Sequence, residues 1–584
     1  MQSTVFSKMV SQPVFLFLAF GIMIFLRFIY LESDPSFLMN RAFITDEGWW
    51  VHNARNAVLF GKWVIDEFNQ ALYIAPLFSI IEYSVFKILG VSIFSARLAP
   101  AITGSLSIIV FYMLLRRFWN KEKSVLASLF LGLSAIHIYY SRMAFIETTI
   151  ILFLLLSLFF WVKGNDHWIW SVSSGVYIGM ALITKITAVF FFPIFIILWS
   201  MEFVRKEFIL KKSILFAIGA SIVVLPYLIF FVLFSWEEWS NNFGGRYNSI
   251  TLFNVWKIFT NTTFSLTPIL SSILYLYLFW FFPRAIKRWK DTIMEIDYLE
   301  VLSLSIFIGN AALLVFFPSQ PERRYLVSII PLAIISTKVL YHLKDYLKIE
   351  WVSTKGGTVS LFLILFHLWF YIVYILLFIC NVLSIDILNF PPVYLGNVCR
   401  IVLDFFENSI THNPKIFLSI LFIPSFILIF GVFNKTIRIN YTSPLLRNII
   451  AHGAVLFFVV QSLQVVSMIS CPTYSLKEAS KKIGNIVGGG SVALLYSTLM
   501  IDTDASLLVP HYNYRNSPVF QRLSPDFALT TSIDNGQNFD ENYVVYMAQK
   551  EEVPPESTLV ERFYLCPFAG IDHRFVVCLW QITK

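Results

Sequence analysis

Apolar runs long enough to cross a bilayer recur along this chain, and they constrain its fold more than any other feature. A helical span needs about 20 mostly apolar residues. Such runs occur near residues 12–31, 96–115, 124–140, 145–162, 168–184, 187–203, 213–235, 265–283, 299–318, 326–343, 358–383, 414–433 and 448–470, about thirteen in all. Of the 584 residues, 57% are hydrophobic and only 14% charged. Soluble domains carry roughly 25% charge, so the composition excludes an ordinary soluble enzyme. The expected fold is mainly α, a polytopic transmembrane helical bundle over residues 1–470.

Beyond 470 the chain changes character. Residues 475–483 read as a helix, Gly488-Gly489-Gly490 as a turn and 492–496 as a strand, so 471–584 is expected to be a small α/β domain. No internal repeat or low-complexity segment interrupts either part.

The net charge of +8 is open to a nucleic-acid reading, but the distribution of Lys and Arg favours membrane sidedness. The deciding stretch is 72–91. Counted as a span, it would put the basic loop Arg116/Arg117/Lys121/Lys123 outside. It carries Glu82 and Lys87 and closes at Gly90, so it is expected to lie on the outer interface as an amphipathic helix. Five basic clusters then fall on the cytoplasmic side: that loop, Arg205/Lys206/Lys211/Lys212, Arg284/Lys287/Arg288/Lys290, Lys344/Lys348 and Lys435/Arg438. The N-terminus is inside and the C-terminal domain extracytoplasmic. The first apolar run follows Lys8 with no small-residue cleavage site after it, which reads as a retained span. The outer side receives a long first loop at 32–95, carrying interfacial helices, and loops at 236–264 and 384–413. The five cysteines show no metal or redox spacing, leaving a Cys566–Cys578 pair as one possibility in the tail.

That topology gathers ionisable residues at outer span ends: Asp46-Glu47, Arg97, Arg142, Glu147, Lys185, Arg246 and Arg323-Arg324-Tyr325. Charges facing a bundle interior are functional candidates because exposing them to lipid is costly. Acids together with bases suit a reaction that removes a proton and stabilises an anionic leaving group. Each position has a structural reading beside the chemical one. Asp46-Glu47 is either a general base near hydrocarbon or the start of a helix. Arg142 and Glu147 either serve a site or pair to anchor a turn. Arg323, Arg324 and Lys185 either grip a phosphate or snorkel to headgroups, with the Tyr325 hydroxyl a further donor. The aromatic, Gly-hinged loop around Arg246 is either a lid or an interfacial belt. His52 and His137 read as structural, and Arg27 is an awkward charge within the first span.

In order, the Asp-Glu pair, the span opening Arg97-Leu98-Ala99-Pro100, the turn Tyr140-Ser141-Arg142-Met143-Ala144-Phe145-Ile146-Glu147 and the run Arg323-Arg324-Tyr325-Leu326 resemble the GT-C membrane glycosyltransferases. The protein O-mannosyltransferase and aminoarabinose-transferase group is the nearest in pattern. The resemblance covers the first 350 residues by motif and the rest by span count. It implies inverting transfer of a sugar from a polyprenyl-phosphate donor to a lipid, glycan or protein acceptor on the outer face of the plasma (inner) membrane, without a cofactor. Asp46 would be the general base, Glu47 its supporting acid and Glu147 a second acid. Arg97, Arg142, Lys185, Arg246, Arg323, Arg324 and Tyr325 would be candidates for the donor phosphate. A divalent metal has no ligand spacing to support it. One departure stands out: many relatives carry a basic residue before the interfacial helix, and here the segment reads Leu72-Tyr73-Ile74-Ala75-Pro76-Leu77. The competing reading is a transporter or lipid flippase, which repeats and broken midplane helices would favour. A non-catalytic assembly subunit is a third.

Overall fold

The computed structural model describes residues 12–34, 47–64, 71–205, 210–243, 297–316, 322–345, 474–488, 490–494, 506–508, 526–533, 557–565 and 575–582. Its first part is helical throughout: α1 (Pro13–Phe28), α2 (Glu47–Phe60), α3 (Ala71–Ile74), α4 (Pro76–Leu89), α5 (Ile93–Leu115), α6 (Lys121–Gly132), α7 (Ala135–Ser141), α8 (Glu147–Lys163), α9 (Trp168–Thr184), α10 (Pro193–Val204), α11 (Leu210–Tyr227), α12 (Trp236–Phe243), α13 (Tyr298–Phe316) and α14 (Ile329–Asp345). Among the described residues, Ile93–Leu115, Ile186–Val204 and Leu210–Leu233 are long and apolar enough to cross a membrane by length and composition. The expected runs at 265–283, 358–383, 414–433 and 448–470 lie outside the described residues.

The run expected as one span at 124–140 is broken, with α6 and α7 meeting at 62°. No proline causes the bend. Arg27 of α1 donates to the Gly132 carbonyl at 3.1 Å, taking an acceptor that a continuous helix would use. Its guanidinium also bonds the Met23 carbonyl and reaches Nδ1 of His137 at 2.8 Å. The charge within the first span is therefore enclosed by protein polar groups.

Helix α4 has 14 residues, roughly 21 Å at 1.5 Å per residue, which is short of a bilayer core of about 30 Å. Pro76 sits in its first turn, where a missing N–H costs nothing, and Gly90 ends it at a φ of 80°. Its polar face differs from expectation. Glu82 is fully buried rather than turned to solvent, and neither carboxylate oxygen has a hydrogen-bond partner. Burial raises this carboxyl well above its ordinary range, which favours the protonated form.

Helices α9 and α11 touch through glycines. A methyl built on Gly175 lands on the Phe216 carbonyl and 2.7 Å from the Ala220 amide. Near the far end of this pair, Lys212 pairs with Glu202 at 2.8 Å, and both are buried beside Trp161, whose Nε1 donates to the same carboxylate. Lys212, expected in a cytoplasmic basic loop, is thus an internal strut.

The C-terminal part is α/β. Helix α15 (Ser475–Val487) precedes strands β1 (Ser491–Leu494), β2 (Ser506–Leu508), β3 (Phe527–Ile533), β4 (Ser557–Leu565) and β5 (Phe575–Ile582). The sheet order is β2-β1-β3-β5-β4, parallel across β2-β1-β3 and antiparallel across β3-β5-β4. Cys578 is buried in β5, and Cys566 lies outside the described residues. Tyr474 cannot cap α15 with its side chain; Asp34, just past α1, accepts from the Leu476 amide at 3.0 Å instead. A cap of this kind contributes about 1 kcal/mol.

Gly175→Ala is expected to destabilise the detergent-purified chain by about 1–3 kcal/mol, because the added methyl meets backbone that cannot rotate away. Gly21→Ala, with nothing within 4 Å of the new methyl, should leave the unfolding midpoint unchanged or raise it. Equal midpoints for the two variants would refute the close-packing account.

Candidate functional site

The site forms where the C-terminal end of α1, the start of α2, the start of α5, the 142–147 turn and the residues after α9 come together. Helix α2 is described from Glu47 onward, and the rest of the Ile44-Thr45-Asp46 motif lies outside the described residues. Glu47 is fully buried and lies opposite Arg97 of α5: Nε donates to Oε1 at 2.8 Å and a terminal nitrogen to Oε2 at 2.9 Å. The same Oε1 accepts the Ala144 amide at 2.7 Å. Arg97's remaining terminal nitrogen donates to the carbonyls of Leu31 and Ser33 at 2.9 and 2.6 Å.

Arg142 has a parallel task. It donates to the carbonyls of Leu26 at 3.1 Å, Ile29, and Tyr30 at 3.0 Å, and to Ser33 Oγ at 3.4 Å. These are carbonyls that the end of α1 leaves without helical partners. Tyr30 sits at a φ of 48°, an uncommon conformation for a bulky residue, and Arg142 holds the chain where that turn forms. Arg97 and Arg142 therefore spend their donors inside the protein.

The second acid stands apart from Arg142. Glu147 pairs with Lys185 at 2.8 Å and Arg323 at 3.6 Å through Oε1, which overturns the reading of an Arg142–Glu147 anchor. Its Oε2 is buried with no hydrogen-bond partner. Lys185 stands 5.0 Å over the Trp50 ring of α2, and Arg323 stands 5.1 Å over Phe145. Burial pulls the Lys185 ammonium down to about 8; Glu147 opposes that fall, while Arg323 and Arg324 add to it. Lys185 and Arg323 thus share one carboxylate, and Arg324 lies within electrostatic reach of Lys185. Tyr325 is wholly buried in the apolar core beneath the arginines.

Asp46 and Arg246 lie outside the described residues. Among the described residues, no three His, Cys, Asp or Glu side chains group as metal ligands. The sequence reading missed Ser33 and Asp34. Their only signal was a position immediately beyond the first span. It also missed Trp50, indistinguishable from an interfacial aromatic.

Residues 72–242 match the family model described as dolichyl-phosphate-mannose-protein mannosyltransferase. The fold is similar to ArnT of Cupriavidus metallidurans bound to undecaprenyl phosphate, at a TM-score of 0.55 and 15% identity over 97% of this chain and 98% of that one. It is also similar to the apo state of the same protein, at a TM-score of 0.56, 14% identity and 97% of both chains. A stretch of 60 residues is 37% identical to dolichyl-phosphooligosaccharide-protein glycotransferase 2 of Pyrococcus furiosus, covering 10% of this chain and 8% of that protein.

Removing one partner of a buried ion pair strands the other. Glu47→Ala is therefore expected to cost on the order of 3–5 kcal/mol and to lower the thermal unfolding midpoint sharply. A midpoint unchanged from wild type would show that the Arg97 pair does not hold this end of the bundle together.

Proposed function

We propose that this chain, whose fold is that of the GT-C membrane glycosyltransferases, transfers a sugar from a polyprenyl-phosphate donor to an acceptor hydroxyl at the outer membrane face, with inversion. The observation that carries the reading is the buried cluster in which Lys185 and Arg323 pair with Glu147, with Lys185 over the Trp50 ring of α2, the helix that follows Asp46 in sequence. ArnT, which shares the fold, binds undecaprenyl phosphate, a ligand of the class that such a cluster suits.

In the proposed reaction Asp46 takes the proton from the acceptor hydroxyl. The acceptor oxygen bonds to the anomeric carbon from the face opposite the phosphate. The bond from that carbon to the phosphate oxygen breaks, and polyprenyl phosphate leaves as an anion. Lys185, Arg323 and Arg324 offset the charge that develops on the leaving group, in a dry site where such compensation is worth more than in water. The free Oε2 of Glu147 is available to accept from a sugar hydroxyl. Glu47, its oxygens occupied by Arg97 and Ala144, acts through the backbone as a positioning residue, as do Arg97 and Arg142. The C-terminal α/β domain lies on the same outer side.

Three experiments bear on this. With a radiolabelled polyprenyl-phosphate sugar and envelope lipid extract in proteoliposomes, Asp46→Asn should be produced at wild-type levels yet transfer no label; normal turnover would remove Asp46 as the base. Mass spectrometry of envelope glycans in a deletion strain then identifies the sugar and acceptor. Lys185 titrates near 8, so the KM for donor should rise as the pH passes that value, because the neutral amine no longer attracts phosphate. Lys185→Arg, cationic throughout, should flatten the profile. A wild-type KM independent of pH between 7 and 9 (a window of about one unit either side) would take Lys185 out of the phosphate site.

A further inference from the structure

Residues 31–34, just past α1, face two ways. The carbonyls of Leu31 and Ser33 receive Arg97, which in turn grips Glu47. The side chains of Glu32 and Asp34 face the C-terminal part. Glu32 pairs with Lys477, and Asp34 accepts the Leu476 amide. Asp34 also lies within electrostatic reach of Arg97, and Tyr474 within reach of Arg142. Helix α15 lacks a side-chain cap of its own, so its first turn depends on a residue more than four hundred positions earlier.

We infer that residues 31–34 relay the docking of α15 to the Arg97–Glu47 pair, making Glu32, Asp34 and Lys477 positioning residues for the acid pair Asp46-Glu47. The inference rests on the transferase reading above. The C-terminal part then acts on the reaction without touching the reacting atoms. When α15 is seated, the carbonyls that Arg97 needs are fixed, and the Glu47 carboxylate is held against the Ala144 amide. When it is not, the segment gains freedom, Arg97 loses two acceptors, and the start of α2 loosens. A relay of this kind changes the rate of the chemical step more than the grip on the lipid donor, because Lys185, Arg323 and Arg324 are held elsewhere.

The test uses the full-length chain in a polyprenyl-phosphate sugar transfer assay. Glu32→Lys and Lys477→Glu are each expected to lower kcat about fivefold, on the scale of one lost helix cap. The KM for donor should stay within about twofold, the mark of a lost positioning contact rather than lost binding. The exchanged pair Glu32→Lys/Lys477→Glu should recover most of the turnover. Lys477→Gln, which removes the pair without adding repulsion, serves if a reversal variant does not fold, and should show the same kcat loss in milder form. Single variants with wild-type kcat overturn the relay, as does a loss that the exchange fails to rescue. If wild-type chain transfers from no polyprenyl-phosphate sugar, the transferase reading fails by itself. The relay is then still read from Tm, where Lys477→Glu and Arg97→Lys should combine non-additively. Additive shifts overturn it.

Discussion

The Glu47–Arg97 pair joins pieces of chain that have no other reason to meet. Through one carboxylate and one guanidinium it connects the segment after α1, the start of α2, the first turn of α5 and the Ala144 amide. Both residues are buried, so neither charge can be left alone without a large desolvation cost. The geometry answers that cost: the contact is bidentate, and the remaining donor of Arg97 and the remaining acceptor capacity of Glu47 are filled by backbone. Glu47 follows Asp46 in sequence, so the pair fixes the described chain immediately after the proposed base.

Charge is divided between two tasks at this end of the bundle. Arg97 and Arg142 hold carbonyls and a carboxylate, and so stabilise the end of α1 and the turn at Tyr30. Lys185 and Arg323 pair with Glu147 instead, and Arg324 lies within electrostatic reach of Lys185. In a low-dielectric setting these contacts tie the 147 turn, the end of α9 and the 323–324 segment together.

Arg27 and Glu82 show how the bundle tolerates polar groups that face neither water nor a ligand. Arg27 is met by two carbonyls and His137, at the expense of a continuous helix through 133–134. Among the described residues Glu82 has no such company, and burial favours its neutral form instead. Enclosure and neutralisation are two of the physical routes open to an ionisable group in a dry interior. The Lys212–Glu202 strut takes a third form, pairing, with Trp161 covering the ammonium.

Long apolar runs and the placement of charge at their ends were legible in the sequence, because hydropathy acts locally and a span must satisfy its backbone by itself. The short helix that Gly90 closes was readable from its length and its glycine. Partner choice was not. Arg142 and Glu147 are five residues apart and looked like a pair, yet one turns to the carbonyls of α1 and the other to Lys185 and Arg323. Glu82 read as a solvent face and is core. Asp34 read as loop and caps a helix from the far end of the chain. Sequence by itself determined which residues are soluble in lipid and which charges sit at the ends of spans, since those follow from transfer energies of local segments. Only the tertiary structure decided which guanidiniums hold backbone carbonyls and which pair with Glu147, because that depends on distances between segments up to hundreds of residues apart.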